Sequence, residues 1–205
     1  MKVKESETEK IILNAAKDVF FRKGYDGARM QEIADVAGIN KALLHYYFRS
    51  KDKLFEAIFE EAFKKLIPKI VESMTSEMNF EEKIKKFINN YIDTLIEVPQ
   101  IPIFILNELN RNPDRIIGVL KKAGLKPEVI VEGLQRDIEN GVIRAVNPKH
   151  LIVNIVSLCI FPFAAKPIIQ KLFLKDDNPK LFYEFLKERK SEVSNFIINS
   201  LIVKP

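Results

Sequence analysis

One cysteine and two histidines among 205 residues leave few groups for soft-metal or disulfide chemistry. A lone Cys159 cannot form an intramolecular disulfide or a multi-cysteine zinc site, so neither a metal nor another cofactor is expected. Seven glycines and ten prolines argue against a loop-rich all-β chain. The longest apolar stretch, Leu151 to Ala165, is interrupted by Asn154 and Ser157 and stops at Lys166 and Pro167. It falls short of the roughly 20 apolar residues needed to cross a bilayer. The charged start offers no apolar signal core, so a soluble, cytoplasmic protein with no membrane partner is the expectation.

Catalytic signatures are equally scarce. There is no G-x-S-x-G, no H-E-x-x-H and no phosphate-cradling glycine loop, and neither histidine has an obvious partner. No enzyme is anticipated.

What the chain has in abundance is helical periodicity. Hydrophobic residues make up 47% and charged residues 30%, enough apolar surface for a sizeable core. No run alternates apolar and polar residues over a strand's length. The pattern predicts an all-α protein of about nine helices: a three-helix N-terminal domain over residues 1–53, then a larger helical domain over 54–205.

Helix one is expected from Thr8 to Lys23, with Ile11, Ile12, Ala15, Ala16, Val19 and Phe20 on one inward face and Gly24 at its end. A long helix opens after Ser50, with apolar doublets from Leu54/Phe55 to Ile70/Val71 and a kink or stop at Pro68. A last helix opens at Asn178-Pro179, with Phe182, Phe185, Leu186, Val193, Phe196, Ile197 and Leu201 inward.

Residues 30–48 carry the most specific local pattern. A short helix over about Met30 to Ala37, a turn at Gly38 and a second helix from Lys41 to Phe48, with Asn40 as N-cap, form a helix-turn-helix. In DNA-binding versions the N-terminal residues of the second helix meet base edges in the major groove, the place held here by Lys41, Ala42 and Leu43, with Tyr46 a turn further on. Two short helices around a glycine are common in other settings too, so the spacing alone leaves the role open.

Residue identities narrow it. Ile12, Ala15-Ala16, Phe20, Gly24-Tyr25-Asp26, Ile33-Ala34, Ala37-Gly38, Leu44, Tyr47-Phe48, Ser50-Lys51 and Leu54 stand in the order and spacing of the N-terminal domain of the TetR family of transcriptional regulators, which this stretch resembles. The resemblance covers the first quarter of the chain. Beyond it, only Gly141 to Pro148 looks like the turn before the family's penultimate helix.

The resemblance implies a homodimer reading a palindromic double-stranded DNA operator, and a larger domain that dimerises and binds a small-molecule effector. Asn40, Lys41, Ala42 and Leu43 would lie nearest the bases, while His45, Tyr47 and Lys51 would hold phosphates. Two positions depart from the family pattern. Ala28 stands where a capping Thr is usual, next to Arg29, which could reach a phosphate. His45 replaces a usual Tyr. Charge agrees in part: residues 1–53 hold 11 basic and 8 acidic side chains, more than half of the net +5.

For the effector, polar groups among apolar ones (Tyr91, Asn107, Glu108, Asn154) and the aromatic Phe59, Phe63, Phe87 and Phe104 are the candidate contacts. Phe at helical spacing is more often core than pocket wall, and Glu108 fits a local pair to Arg111. Dimerisation is expected through the helices starting near Pro148 and Pro179, apolar over more surface than a monomer covers. The function expected is a ligand-responsive transcriptional regulator, a repressor released by a small, largely apolar effector. The competing reading is a helical ligand-binding or interaction protein without sequence-specific DNA binding.

Overall fold

Helix α1, Lys2–Gly27, starts earlier than the apolar pattern suggested and is broken at Gly24, whose φ of 69° and ψ of 176° only glycine adopts readily. The computed structural model describes residues 2–99 and 101–202. Helices α2 (Met30–Val36) and α3 (Lys41–Tyr47) follow, then α4 (Lys51–Thr75) with Ser50 as N-cap, its side chain accepting from the Lys53 N–H at 3.2 Å. Pro68 does not end α4. It sits exposed within the continuous helix, where the backbone can adjust toward solvent.

The remaining helices are α5 (Phe80–Glu97), α6 (Ile101–Arg111), α7 (Pro113–Lys122), α8 (Pro127–Glu139), α9 (Pro148–Ala164), a short α10 (Lys166–Ile168) that continues as a π-helical turn over Ile169–Leu174, and α11 (Pro179–Leu201). Among the described residues, eleven helices replace the nine or so anticipated. The difference comes largely from Pro167, which breaks the chain after α9, and the two segments meet at 65°. Asn79, Asn112, Asn147 and Asn178 cap α5, α7, α9 and α11. In the last three a proline sits in the first turn, where its missing N–H costs nothing.

One continuous apolar core runs from Ile12 in α1 through Phe55 and Phe59 in α4 to Leu201 in α11. α2 packs on α1 and α3, and α1 packs on α4. The rest of α4 packs on α5, α7 and α8, while α5 also carries α9 and α11. Thus α4 is the element common to both ends of the molecule. Its 25 residues extend about 37 Å at 1.5 Å per residue.

Phe196 departs from the inward set expected on α11. Val193, Ile197 and Leu201 form the buried stripe, and Phe196 lies beside it at 64% exposure. Among the described residues no single helix is long and apolar enough to cross a membrane.

Candidate nucleic-acid interface

The turn between α2 and α3 is built from local bonds. Gly38 takes a φ of 67°, the Ile39 N–H donates to the Ala34 carbonyl at 3.0 Å, and the Gly38 N–H to that of Asp35 at 3.1 Å. These satisfy the carbonyls left over at the end of α2. Asn40 then caps α3, its Oδ1 accepting from the Leu43 N–H at 2.8 Å. Asn40 itself is exposed. Ile33, Ala34 and Leu44 are fully buried, and Phe48 nearly so, fixing the two helices against the core.

α3 therefore gives one face to the interior and the rest to solvent. Lys41, Ala42, Leu43, His45 and Tyr46 are all exposed, Tyr46 at 73%, and Tyr47 is half-buried with its ring edge-on to that of Tyr46 at 5.5 Å. An exposed leucine and tyrosine stand beside a lysine on a helix that packs inward through Leu44 and Tyr47. Such a face mixes apolar, hydrogen-bonding and cationic groups as base and phosphate contacts require.

Arg29 is exposed at the N-cap of α2 and makes no capping bond, while Ala28 is buried. The cap weakened by Ala28 is not replaced by a side chain. The acidic residues of α2 are occupied, with Glu32 paired to Lys23 at 2.8 Å and Asp35 accepting from Gln31 at 2.8 Å.

Lys51 is placed differently from the phosphate contact the resemblance implied. Its Nζ donates to the Tyr25 and Ala28 carbonyls at 2.9 and 3.1 Å and lies 4.4 Å from the Tyr25 ring centre. Two of its three donors tie the end of α1 to the start of α4, because the backbone break at Gly24 leaves carbonyls there that need partners.

The same corner holds a network that no sequence pattern announced. The Tyr25 hydroxyl donates to Asp52 Oδ1 at 2.5 Å, and Arg115 Nη2 to the same oxygen at 2.5 Å. Arg115 Nη1 donates to Glu108 at 2.8 Å. Arg111 pairs with Asp26, leaving the expected Glu108–Arg111 pair unmade. The guanidinium groups of Arg111 and Arg115 each lie 4.5 Å from the Tyr25 ring centre. Burial, followed by the bond to Asp52, pushes the Tyr25 phenol up to about 12, outweighing the opposite pull of Arg115. Glu108 is thus a buried ion-pair partner whose carboxylate is already committed.

The eight effector candidates divide. Phe63, Phe87 and Tyr91 line one cavity of about 210 Å³ enclosed by α4, α5, α7, α8 and α9. Phe59 and Phe104 stack at 5.5 Å in an aromatic core with Phe20 and Phe55. Asn107 is exposed on α6, and Asn154 faces an open surface groove beside Phe196. Helical spacing cannot distinguish a wall from a core, since both are apolar faces. The residues that complete the cavity, Leu134 and Ile155 among them, are ordinary aliphatics.

Residues 12–58 match the profile of the bacterial regulatory proteins of the tetR family. The HTH-type transcriptional regulator RutR of Escherichia coli is 45% identical over 53 residues, which are 26% of this chain and 25% of RutR. The HTH-type transcriptional repressor NicS of Pseudomonas putida is 43% identical over 47 residues, 23% of this chain and 22% of NicS. The matched stretch thus spans about a quarter of these relatives' length. The crystal structure of a linker-substituted mutant of HlyIIR is similar over nearly everything, covering 98% of this chain and 100% of that one at 25% identity and a TM-score of 0.69. Residues 12–58 thus carry the helix-turn-helix domain of tetR-family bacterial regulatory proteins, and the chain as a whole shares its fold with the HlyIIR structure.

Proposed function

We propose that the chain is a ligand-responsive transcriptional repressor. It reads a palindromic operator as a homodimer and is released by a small, largely apolar effector. The observation that carries DNA reading is the outer face of α3, where Lys41, Ala42, Leu43, His45 and Tyr46 are exposed while Leu44 alone is buried. Lys41 and Arg29 supply charge, Asn40 its free amide, and Leu43 apolar contact to a thymine methyl group. The division of labour places the reader in residues 1–53 and the sensor in 54–205, with α4 crossing between them.

Dimerisation is assigned to α9 and α11. Val153, Phe161 and Phe196 are each at least 60% exposed there, large apolar side chains that a second copy would cover. Two α3 helices related by a two-fold axis must stand about 34–36 Å apart, or a small multiple of that, to enter successive major grooves.

Effector response runs through helices that touch both ends. α7 carries Leu120 in the cavity wall and Arg115 in the Asp52 network, and α4 carries Phe63 in the wall and Lys51 at the reader. A ligand that binds one α4–α7 arrangement better than the other shifts the spacing of the two readers. A ligand without that preference shifts nothing.

The test is selection of bound duplexes from a randomised pool at physiological salt. A recovered palindrome, lost for Lys41→Ala and Tyr46→Ala at unchanged thermal stability, is the expected result. Recovery of random sequence by a well-folded dimer would overturn the reading.

A further inference from the structure

The cavity between α4 and α9 is chemically one-sided. Phe63, Phe87, Leu134 and Ile155 present only hydrocarbon, and among the described residues no charged side chain lines it. The single hydrogen-bonding side chain in the wall is Tyr91, stacked on Phe87 at 5.7 Å. Among the described residues nothing bonds its hydroxyl. Burial raises its pKa well above the ordinary value, with Cys159 adding to the effect, so the phenol stays neutral. Arg189, which acts on the neighbouring Cys159, donates to the Leu158 carbonyl at 3.2 Å and is not part of the wall. Tyr91 is only partly buried, so its hydroxyl is open to a ligand atom that enters the apolar space, and a hydrogen bond made there adds affinity and fixes orientation.

Size sets a second bound. An apolar protein cavity of about 150 Å³ accepts benzene. A space of about 210 Å³, scaled on the same basis, holds about eight to ten non-hydrogen atoms.

We infer that this cavity takes one uncharged, mostly hydrocarbon molecule of about eight to ten non-hydrogen atoms, whose only polar group bonds the Tyr91 hydroxyl. An ionised head is excluded because it would surrender its hydration with no counter-charge to meet it. The inference rests on the reading of the cavity as the effector site and adds the effector's chemistry to it.

Three probes of equal chain length test it on the full chain by titration calorimetry: 1-octanol, octanoate and octylammonium at neutral pH. The expected result is one octanol bound per chain, with both ions at least about a hundredfold weaker. Tyr91→Phe should bind octanol about fivefold more weakly, the loss of one hydrogen bond. Val156→Phe, which puts a ring into the space, should abolish binding with its circular dichroism unchanged. Octanoate binding as tightly as octanol overturns the inference. So does failure of octanol to bind, or a Tyr91→Phe chain of undiminished affinity. Repeating the titration with the selected duplex separates the two levels. Octanol that binds without altering DNA affinity refutes the effector reading and upholds the chemistry. Octanoate that releases DNA does the reverse.

Discussion

Arg115 and Asp52 stand 63 positions apart in the chain and meet at 2.5 Å, joining α7 to the first turn of α4. Asp52 is about half exposed, whereas Arg115 and its second partner Glu108 are 15% and 4% exposed. The two halves of this junction therefore carry different energies. Arg115→Ala leaves Glu108 buried without a counter-charge, and should cost about 3–5 kcal/mol of unfolding free energy. Asp52→Asn, at the solvated side, should cost no more than about 1 kcal/mol. Denaturant titration of both single variants and the double variant measures the coupling. Equal costs for the two single changes would show that burial does not set the strength of this junction.

Lys51 and Lys41 should respond to truncation in opposite ways. Lys51 holds two carbonyls at the end of α1, so Lys51→Ala should lower stability by about 1–3 kcal/mol, as expected for losing hydrogen bonds to a charged donor. Lys41 is exposed with no role in the core, and Lys41→Ala should leave the melting temperature unchanged while reducing DNA discrimination and flattening the salt dependence by about one unit. A normal melting temperature for Lys51→Ala, with a flattened salt slope, would restore it as a phosphate contact.

The contrast between those lysines marks what the sequence made legible. Asn40, Gly38 and Leu44 act within seven residues of one another, so capping, turn geometry and inner face all follow from local spacing. The role of Lys51 depends on carbonyls 26 and 23 positions away, and Arg115 reaches back 63. No periodicity records such pairings, because they arise only once α1, α4 and α7 are packed. The cavity was hidden for a related reason. Phe59 and Phe63 share one face of α4, yet one is sealed in the aromatic core and the other borders open space. The residues opposite them decide that, and those belong to other helices.

Alkaline pH should loosen the Tyr25 corner first. Its phenol is raised from 10.0 to about 12, so the folded state holds the proton more tightly than the unfolded chain does. The stabilisation is complete below pH 10 and disappears as pH rises toward 12. Denaturant midpoints measured across that window should fall, and should fall less for Tyr25→Phe, which has no proton to lose. Identical alkaline slopes for the two proteins would remove Tyr25 from this account.

Cys159 is fully buried, and burial pushes its thiol up to about 12. The thiolate is the reactive species, so little of it exists at pH 8 and none is accessible. Native protein should resist a disulfide reagent for as long as it stays folded, then react once per chain in denaturant. Rapid labelling of the native chain would mean that α9 and α11 separate readily.

The exposed rings of Phe161 and Phe196 discriminate between a covered and an uncovered α9–α11 face. Neither belongs to the buried stripe formed by Cys159, Val193 and Ile197, so a charge at either site should leave the monomer's core intact. Phe161→Glu and Phe196→Glu put a carboxylate into the proposed two-fold interface, where symmetry brings each substituted residue in twice. Light scattering should then report monomers where the parent chain is dimeric, with helical circular dichroism retained. DNA affinity should fall steeply, since a single reader engages only half of a palindrome and loses the second site's high effective concentration. Dimers that persist in both variants would place the interface elsewhere and leave these rings as surface without a partner.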